Sequence, residues 1–235
     1  MPTKVHRRLP AWSYSRLRDF RQCPRAAFWK HLEKPVVDGI EIVEQENPAM
    51  VRGSGIHKLA EGFTLGTIKK LPGELASFTE EFAEARIAKK KGVEESWAFD
   101  RDWQSVDWFA FNVWLRIKVD LWIRKSKKIL RIIDVKSGKR RGSYDEQMRI
   151  YAVGGFTKFS DVDEVHSELW FTDQGEIDSR SYKRAEFPKL RSIIEKSVEP
   201  MFSDTVFAPL PGPACRWCIY AKDKTGVCKF SSNGA

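Results

Sequence analysis

Two neighbouring stretches constrain this chain more than any others. From Trp114 to Ile123 apolar and polar residues alternate, which assigns Leu115, Ile117, Val119, Leu121 and Ile123 to one face and Arg116, Lys118, Asp120 and Trp122 to the other. Alternation of this length is the signature of a half-buried β-strand. The run Ile129-Leu130-Arg131-Ile132-Ile133 is short and β-branched, bounded by Arg124–Lys128 before it and Ser137-Gly138-Lys139-Arg140 after it, and predicts a buried strand. Joined by a tight turn, the two make an antiparallel hairpin. A loop of Ser126-Lys127-Lys128 pairs Lys125 with Ile129, and counting outward then sets Asp120 opposite Asp134. Opposed residues have Cβ atoms about 5 Å apart, so both carboxylates can grip one cation. A loop one residue shorter sends them to opposite faces.

Asp134 and Lys136 leave one face of their strand while Val135 leaves the other. Charges at the end of a core strand are costly unless something binds them, and two adjacent carboxylates repel unless a proton or cation lies between them. An oxygen-rich site suits Mg²⁺ or Mn²⁺, and a histidine ligand favours the latter. Lys136, held charged by the carboxylates, is a poor base; orienting a water and stabilising developing phosphate charge suit it better. His57 follows Gly53-Ser54-Gly55-Ile56 at a predicted helix start and shares a face with Glu61; taken alone it reads first as a surface or capping histidine. The two glycines would let that backbone pass close to another element. Gln147 and Tyr151 are one turn apart on a helix predicted over about 144–158, where an exposed amide and a half-buried ring are the plain alternative. Lys139, Arg140 and Arg141 form a basic loop able to contact phosphates, although such turns are usually just solvated.

The four cysteines are unevenly placed: Cys215, Cys218 and Cys228 make a C-x2-C-x9-C array, and the fourth, Cys23, lies beside Pro24 near the other end. Thiolates so spaced hold a soft metal or a cluster, and three leave a four-ligand site one short. Use of all four together is the economical reading, with zinc and iron-sulfur both open. Such a site closes a long loop, where a clip stabilises most in principle.

The remaining pattern predicts helices from Ser13 or Ser15 to about Phe28, over 74–91 and over 187–202, a connection at 34–52, and strands at about 94–99, 162–171 and 177–184. A basic arm over 1–11 and a single domain over 12–235, with the cysteine region at 12–33 and 209–230, is the expected organisation. A net charge of +9 and a pI near 9.4 favour a polyanion partner modestly. No run approaches ~20 apolar residues, which predicts no membrane span, and the basic start leads into polar sequence, which predicts a cytoplasmic protein.

The order Ser13-x-Ser15-x-Leu17-x-x-Phe20-x-x-Cys23-Pro24, Gly53-x-Gly55-x-His57, Asp120, Asp134-Val135-Lys136, Gln147-x-x-x-Tyr151 and C-x2-C-x9-C closely resembles the RecB-like branch of the PD-(D/E)xK nuclease superfamily. The resemblance runs from about 13 to 230 and is closest to iron-sulfur members: CRISPR-associated RecB-like exonucleases, the AddB nuclease domain and related phage exonucleases. It departs in carrying Ile117 where the family often has glycine. The resemblance implies an α/β fold, a central mixed sheet flanked by helices with a restriction-endonuclease-like core. It implies His57, Asp120, Asp134 and the Val135 carbonyl as ligands of Mg²⁺ or Mn²⁺, Lys136 as the catalytic lysine, and Gln147 and Tyr151 bordering the active site. It also implies a 4Fe-4S cluster on the four cysteines, joining the N-terminal helix to the C-terminal tail. The expected activity is a metal-dependent exonuclease acting on single-stranded or resected DNA ends in recombination, repair or phage DNA processing, with a helicase or recombination partner left open. The alternatives are a non-catalytic DNA-binding accessory protein with the same fold, and a zinc-stabilised endonuclease.

Overall fold

The computed structural model describes residues 11–140 and 142–231. The basic arm, but for Ala11, and Arg141 therefore lie outside the described residues. The chain divides into two compact units, one built from 1–45 and 195–235, the other from 46–194. The cysteine region expected at 12–33 and 209–230 falls within the first. No helix among the described residues is long and apolar enough to cross a membrane.

The first unit opens with helices α1 (Tyr14–Gln22) and α2 (Pro24–His31). Ser13 caps α1 by accepting a hydrogen bond from the Arg16 N–H at 3.3 Å. Cys23 is extended (φ −165°), ending α1, and Pro24 occupies the first turn of α2, where its missing N–H costs nothing. The break anticipated at Pro24 is thus a corner between two helices, with Cys23 at its apex. Phe207 packs against Phe20 and Phe28, with centroids 6.4 and 5.0 Å apart. The connection expected at 34–52 holds a small hairpin, β1 (Val36–Val37) and β2 (Ile40–Glu41). Its turn residues Asp38 and Gly39 both have positive φ (49° and 80°), the twist that a two-residue hairpin turn requires.

The second unit contains α3 (Pro48–Leu65), α4 (Thr79–Ile87), β3 (Lys91–Phe99), β4 (Ser105–Val106), β5 (Leu115–Arg124), β6 (Ile129–Lys136), α5 (Asp145–Lys158), β7 (Glu164–Phe171) and β8 (Glu176–Lys183); α6 (Phe187–Ser203) follows and runs across the boundary. The strands form a sheet of order β4-β3-β5-β6-β7-β8, in which β6 and β7 are parallel and every other pair antiparallel. A parallel neighbour needs a crossover, and α5 supplies it. Helix α3 starts at Pro48, ahead of the start expected at Gly53, because Asn47 caps it by accepting from the Met50 N–H at 3.1 Å. The segment expected as one helix over 74–91 is a 3-10 turn at Gly73–Phe78 followed by α4, and it ends where β3 begins.

The two sides of the sheet are covered differently. Ile56, Ala60 and Phe63 of α3 and Phe82 and Ala85 of α4 cluster with Leu121, Ile123, Ile133, Val135 and Trp170. Helix α5 covers the opposite side at close range. A Cβ on Gly154 would meet Ile117 Cδ1 at 2.6 Å, and one on Gly155 would meet Ile132 Cδ1 at 2.8 Å, so two glycines permit this approach. Ile117 therefore faces α5 whereas Leu121 and Ile123 face α3 and α4. That corrects the expectation of one continuous apolar face along β5. The facing switches at Asp120, and the register sets Glu94 level with it, between the Val93↔Leu121 and Glu95↔Val119 pairs. Glu94 has φ 51°, a conformation incompatible with regular pairing, and the ladder is interrupted there.

A charged cluster is buried in this sheet. Arg131 donates two hydrogen bonds of 2.8 Å to Glu168 and one of 2.7 Å to Glu84, and Trp170 donates to the same Glu168 carboxylate at 2.9 Å. Removing one partner strands the other charge. Arg131→Met is expected to lower unfolding free energy by about 3–5 kcal/mol in denaturant titration, whereas a loss below about 1 kcal/mol, the level of an exposed pair, would contradict this account.

Candidate active site

The hairpin register sets the site. Arg124 pairs with Leu130 and Leu121 with Ile133, and the Lys125 N–H donates to the Ile129 carbonyl at 3.1 Å, closing the loop over 126–128. Continued one step, this register puts Asp120 level with Asp134. Beyond Leu121 the strands part, and Asp120 turns its carboxylate into the gap, where Oδ2 accepts from the Val135 N–H at 2.8 Å. Glu94, Asp120 and Asp134 thus occupy one row across β3, β5 and β6.

Helix α3 brings the imidazole. Gly53 lies against the loop after β6, where an added Cβ would stand 3.2 Å from Ser137 Oγ; no such neighbour meets Gly55. One turn on, His57 Nδ1 lies 3.2 Å from Asp120 Oδ2 and 3.7 Å from Glu94 Oε1. Among the described residues, His57, Glu94 and Asp120 form the one set of three such ligand atoms within 4.8 Å of one another. Beside them, Ala60, Glu61, Thr64 and Val135 help line a cavity of about 10 Å³, room for roughly one water-sized sphere.

The electrostatics of these groups favour a positive charge among them. Burial raises the Asp120 pKa, and nearby Asp134 raises it further. Burial and then Asp120 raise that of Glu94. The hydrogen bond to Asp120 raises the His57 pKa to about 9 against the pull of burial. The two carboxylates hold protons more tightly than usual, and the imidazole is held positive between them. A divalent ion on this set would relieve the repulsion between the acids, with His57 giving up its proton to bind.

Asp134 is not in that set. Tyr151 O–H donates to its Oδ1 at 2.5 Å and Gln147 Nε2 to the same atom at 3.2 Å, with Gln147 also donating to the Tyr151 hydroxyl oxygen at 3.0 Å. Its Oδ2 lies 2.5 Å from Lys136 Nζ. Burial depresses the Lys136 pKa, but Asp134 and Asp120 more than offset this and hold the amine as an ammonium. Burial and then Asp134 raise the Tyr151 pKa well above its usual value, so its hydroxyl keeps the proton it donates. The exposed amide and half-buried ring weighed for Gln147 and Tyr151 are instead a buried pair on the α5 side of Asp134.

Of the basic loop, Lys139 is exposed. The Arg140 guanidinium is 2.8 Å from the buried Asp178, and the Arg140 backbone N–H donates to Gln174 Oε1 at 2.5 Å. Arg52 braces the same loop by donating to the Ser137 carbonyl while bonded to Asp173. Glu94 escaped sequence reasoning because it belongs to no motif; the signal available was its level with Asp120 once β3 is aligned on β5.

In the first unit all four cysteines line one cavity of about 160 Å³, with Trp29, Leu210 and Tyr220 also on its wall. Cys23 Sγ accepts from the Leu210 N–H at 3.4 Å, and the Cys228 N–H donates to the Tyr220 carbonyl at 2.7 Å. Burial raises the Cys218 thiol pKa, and the other three sulfurs add to the shift.

A mixed sheet flanked by helices, with acids in a row at the end of a central hairpin and a lysine beside them, is a nuclease architecture. This chain belongs to the PD-(D/E)XK nuclease superfamily, which matches residues 11–222. No curated protein matches it. Among solved structures, it is similar to one described as "Putative exonuclease" from Eubacterium rectale (11% identity, TM-score 0.44, covering 81% of this chain and 79% of that one). It is also similar to one named SSO0001 (12% identity, TM-score 0.39, covering 89% and 83%). Family membership rests on the match over 11–222 and not on these two likenesses.

Tyr151→Phe removes one of the two side-chain hydrogen bonds on Asp134 Oδ1. A hydrogen bond to a charged group contributes about 1.5–3 kcal/mol, and urea unfolding in EDTA should show a loss of that order; unchanged stability would mean that Tyr151 does not hold Asp134.

Proposed function

We propose that this chain is a divalent-metal-dependent deoxyribonuclease of the RecB-like branch, an exonuclease acting on single-stranded or resected DNA ends. The observation that carries the metal dependence is the His57, Glu94 and Asp120 set beside Asp134 and Lys136. Preference for DNA ends, and a role in recombination, repair or phage DNA processing, rest on the family resemblance.

His57, Asp120 and Asp134, with the Val135 carbonyl, are the proposed ligands, and Glu94 joins them on the strength of its position. Oxygen donors with one imidazole suit Mg²⁺ or Mn²⁺. The ion, when bound, supplies Lewis acidity toward a phosphodiester oxygen and makes water a better nucleophile near neutral pH. The chain's own residues do the rest. Water oxygen bonds to phosphorus as it gives up one proton to solvent, the bond to the departing sugar oxygen breaks, and that oxygen takes up a proton from solvent as it leaves. Lys136, held as an ammonium, sits where charge accumulates on the phosphate. Gln147 and Tyr151 act through Asp134 as positioning residues. Lys139 and the basic surface hold the DNA backbone; Arg140, engaged with Asp178, contributes to loop shape first.

The four cysteines fit a 4Fe-4S cluster better than zinc. A cavity of about 160 Å³ walled by all four suits a bulkier group. Its role is structural, tying α1 and α2 to the C-terminal segment of the same unit.

Digestion of end-labelled single- and double-stranded DNA with Mg²⁺ or Mn²⁺ tests the activity. Asp134→Asn or Lys136→Ala should reduce cleavage by about 10²-fold or more while DNA binding persists. A wild type that binds DNA and cuts nothing with either ion would falsify the enzymatic reading and leave an accessory DNA-binding protein. Anaerobic purification should give brown protein holding iron and sulfide in equal amounts; colourless protein holding zinc would overturn the cluster assignment.

A further inference from the structure

Two phenylalanine rings stand fully in solvent at the end of the sheet where the acids lie. Phe109 is 87% and Phe111 101% exposed, in a loop that would gain by folding them inward. The loop is not loose. Consecutive turns brace it, the Ala110 N–H donating to the Asp107 carbonyl at 3.0 Å and the Val113 N–H to the Ala110 carbonyl at 3.3 Å. Arg116 grips Trp108 within the first turn, with its guanidinium 5.2 Å from the ring centre and its Nε donating to the Trp108 carbonyl at 3.1 Å. Trp114 is buried against Trp103, with centroids 5.3 Å apart. A braced loop that presents two rings outward is built to offer them.

Strand β5 connects this loop to the acids. Since Ile117 faces α5, Arg116 and Lys118 present the other side, the one from which His57 reaches Asp120. Lys118 is exposed and pairs with Ser96 of β3, and Arg116 lies one alternation further out. Alternate strand residues are about 6.6 Å apart, close to the spacing of successive phosphates in an extended single strand. Asp120, Lys118 and Arg116 therefore form a graded line from the cation site to the aromatic loop, about 17 Å long between Asp120 and the start of β5. The basic loop after β6 leaves the sheet at the same end.

We propose that Phe109 and Phe111 are a base-stacking platform for single-stranded DNA, which runs from them past Arg116 and Lys118 to the acids with its phosphates toward the two cations. Stacking on exposed rings is tolerant of sequence, as an end-processing enzyme requires, and paired cations beside the rings complement the backbone. The proposal rests on the nuclease reading for its polynucleotide and assigns the strand a path.

The test is binding of a fluorescent single-stranded oligonucleotide in EDTA, with cleavage of the same oligonucleotide in Mn²⁺ measured alongside. The double variant Phe109→Ala/Phe111→Ala should bind about tenfold or more weakly, the scale of one to two lost stacking contacts. Its thermal melting should not change because the rings are exposed, and Phe109→Trp/Phe111→Trp should restore binding. Lys118→Ala should lower the log–log salt slope by about 0.7. An unchanged Kd in the double-alanine variant overturns the platform, whether or not the wild type cleaves. A wild type that cuts nothing but loses affinity in that variant keeps the platform and overturns the nuclease reading. A double variant that turns a dimer into a monomer with DNA affinity intact assigns the rings to contact between copies and also overturns the proposal.

Discussion

Mutual repulsion among three carboxylates governs this molecule. Glu94, Asp120 and Asp134 stand in one row on adjacent strands, and burial and proximity push up the pKa values of the first two. Like charges this close on a sheet are normally selected against. Here the protein opposes them with two cationic side chains, His57 beside Asp120 and Glu94 on one side of the row and Lys136 beside Asp134 on the other. A divalent ion on this row would supply the same neutralisation, with His57 exchanging its proton for the metal.

The scaffold exists to keep that row in place. The hydrophobic cluster under α3 and α4 and the close glycine contact of α5 clamp the central strands from both sides, and the two layers deliver different components. His57 comes from one layer, Tyr151 and Gln147 from the other, and the strands supply the acids. The change of face at Asp120 makes this division work. It lets the apolar residues of β5 before Asp120 serve α5 and those after it serve the α3 and α4 core, with the carboxylate at the crossover turned into the gap between β5 and β6. A left-handed residue within a strand is uncommon and costs energy; Glu94 adopts that conformation beside the site it helps to form.

Much of this was legible in the residues because it depends on local period and counting. Loop length over 126–128 decides whether Asp120 and Asp134 can meet; alternation was enough to pose that condition, but a turn without glycine or asparagine left the length itself open. The break at Pro24, the hairpin strands and the run of helix over 145–158 follow from similarly local rules. What escaped is non-local. Gly53 and Gly55 resemble a helix boundary, yet the cap at Asn47 and packing against Ser137 carry the helix through them. The engagement of Arg140 with Asp178 joins segments far apart in the chain, so a loop that looks like a free basic patch is partly spent on its own fold. Glu94 matched no motif, because its contribution depends on a strand pairing and a left-handed backbone that composition does not encode.

The account stands on where a cation binds. The most direct measurement is an anomalous difference map from a crystal soaked in Mn²⁺. The account predicts one strong peak among His57, Asp120 and Asp134, about 2.0–2.3 Å from their ligand atoms, with Glu94 alongside and Lys136 Nζ unliganded. A map whose peaks lie elsewhere, or a peak at this row that Asp120→Asn leaves intact, would contradict it.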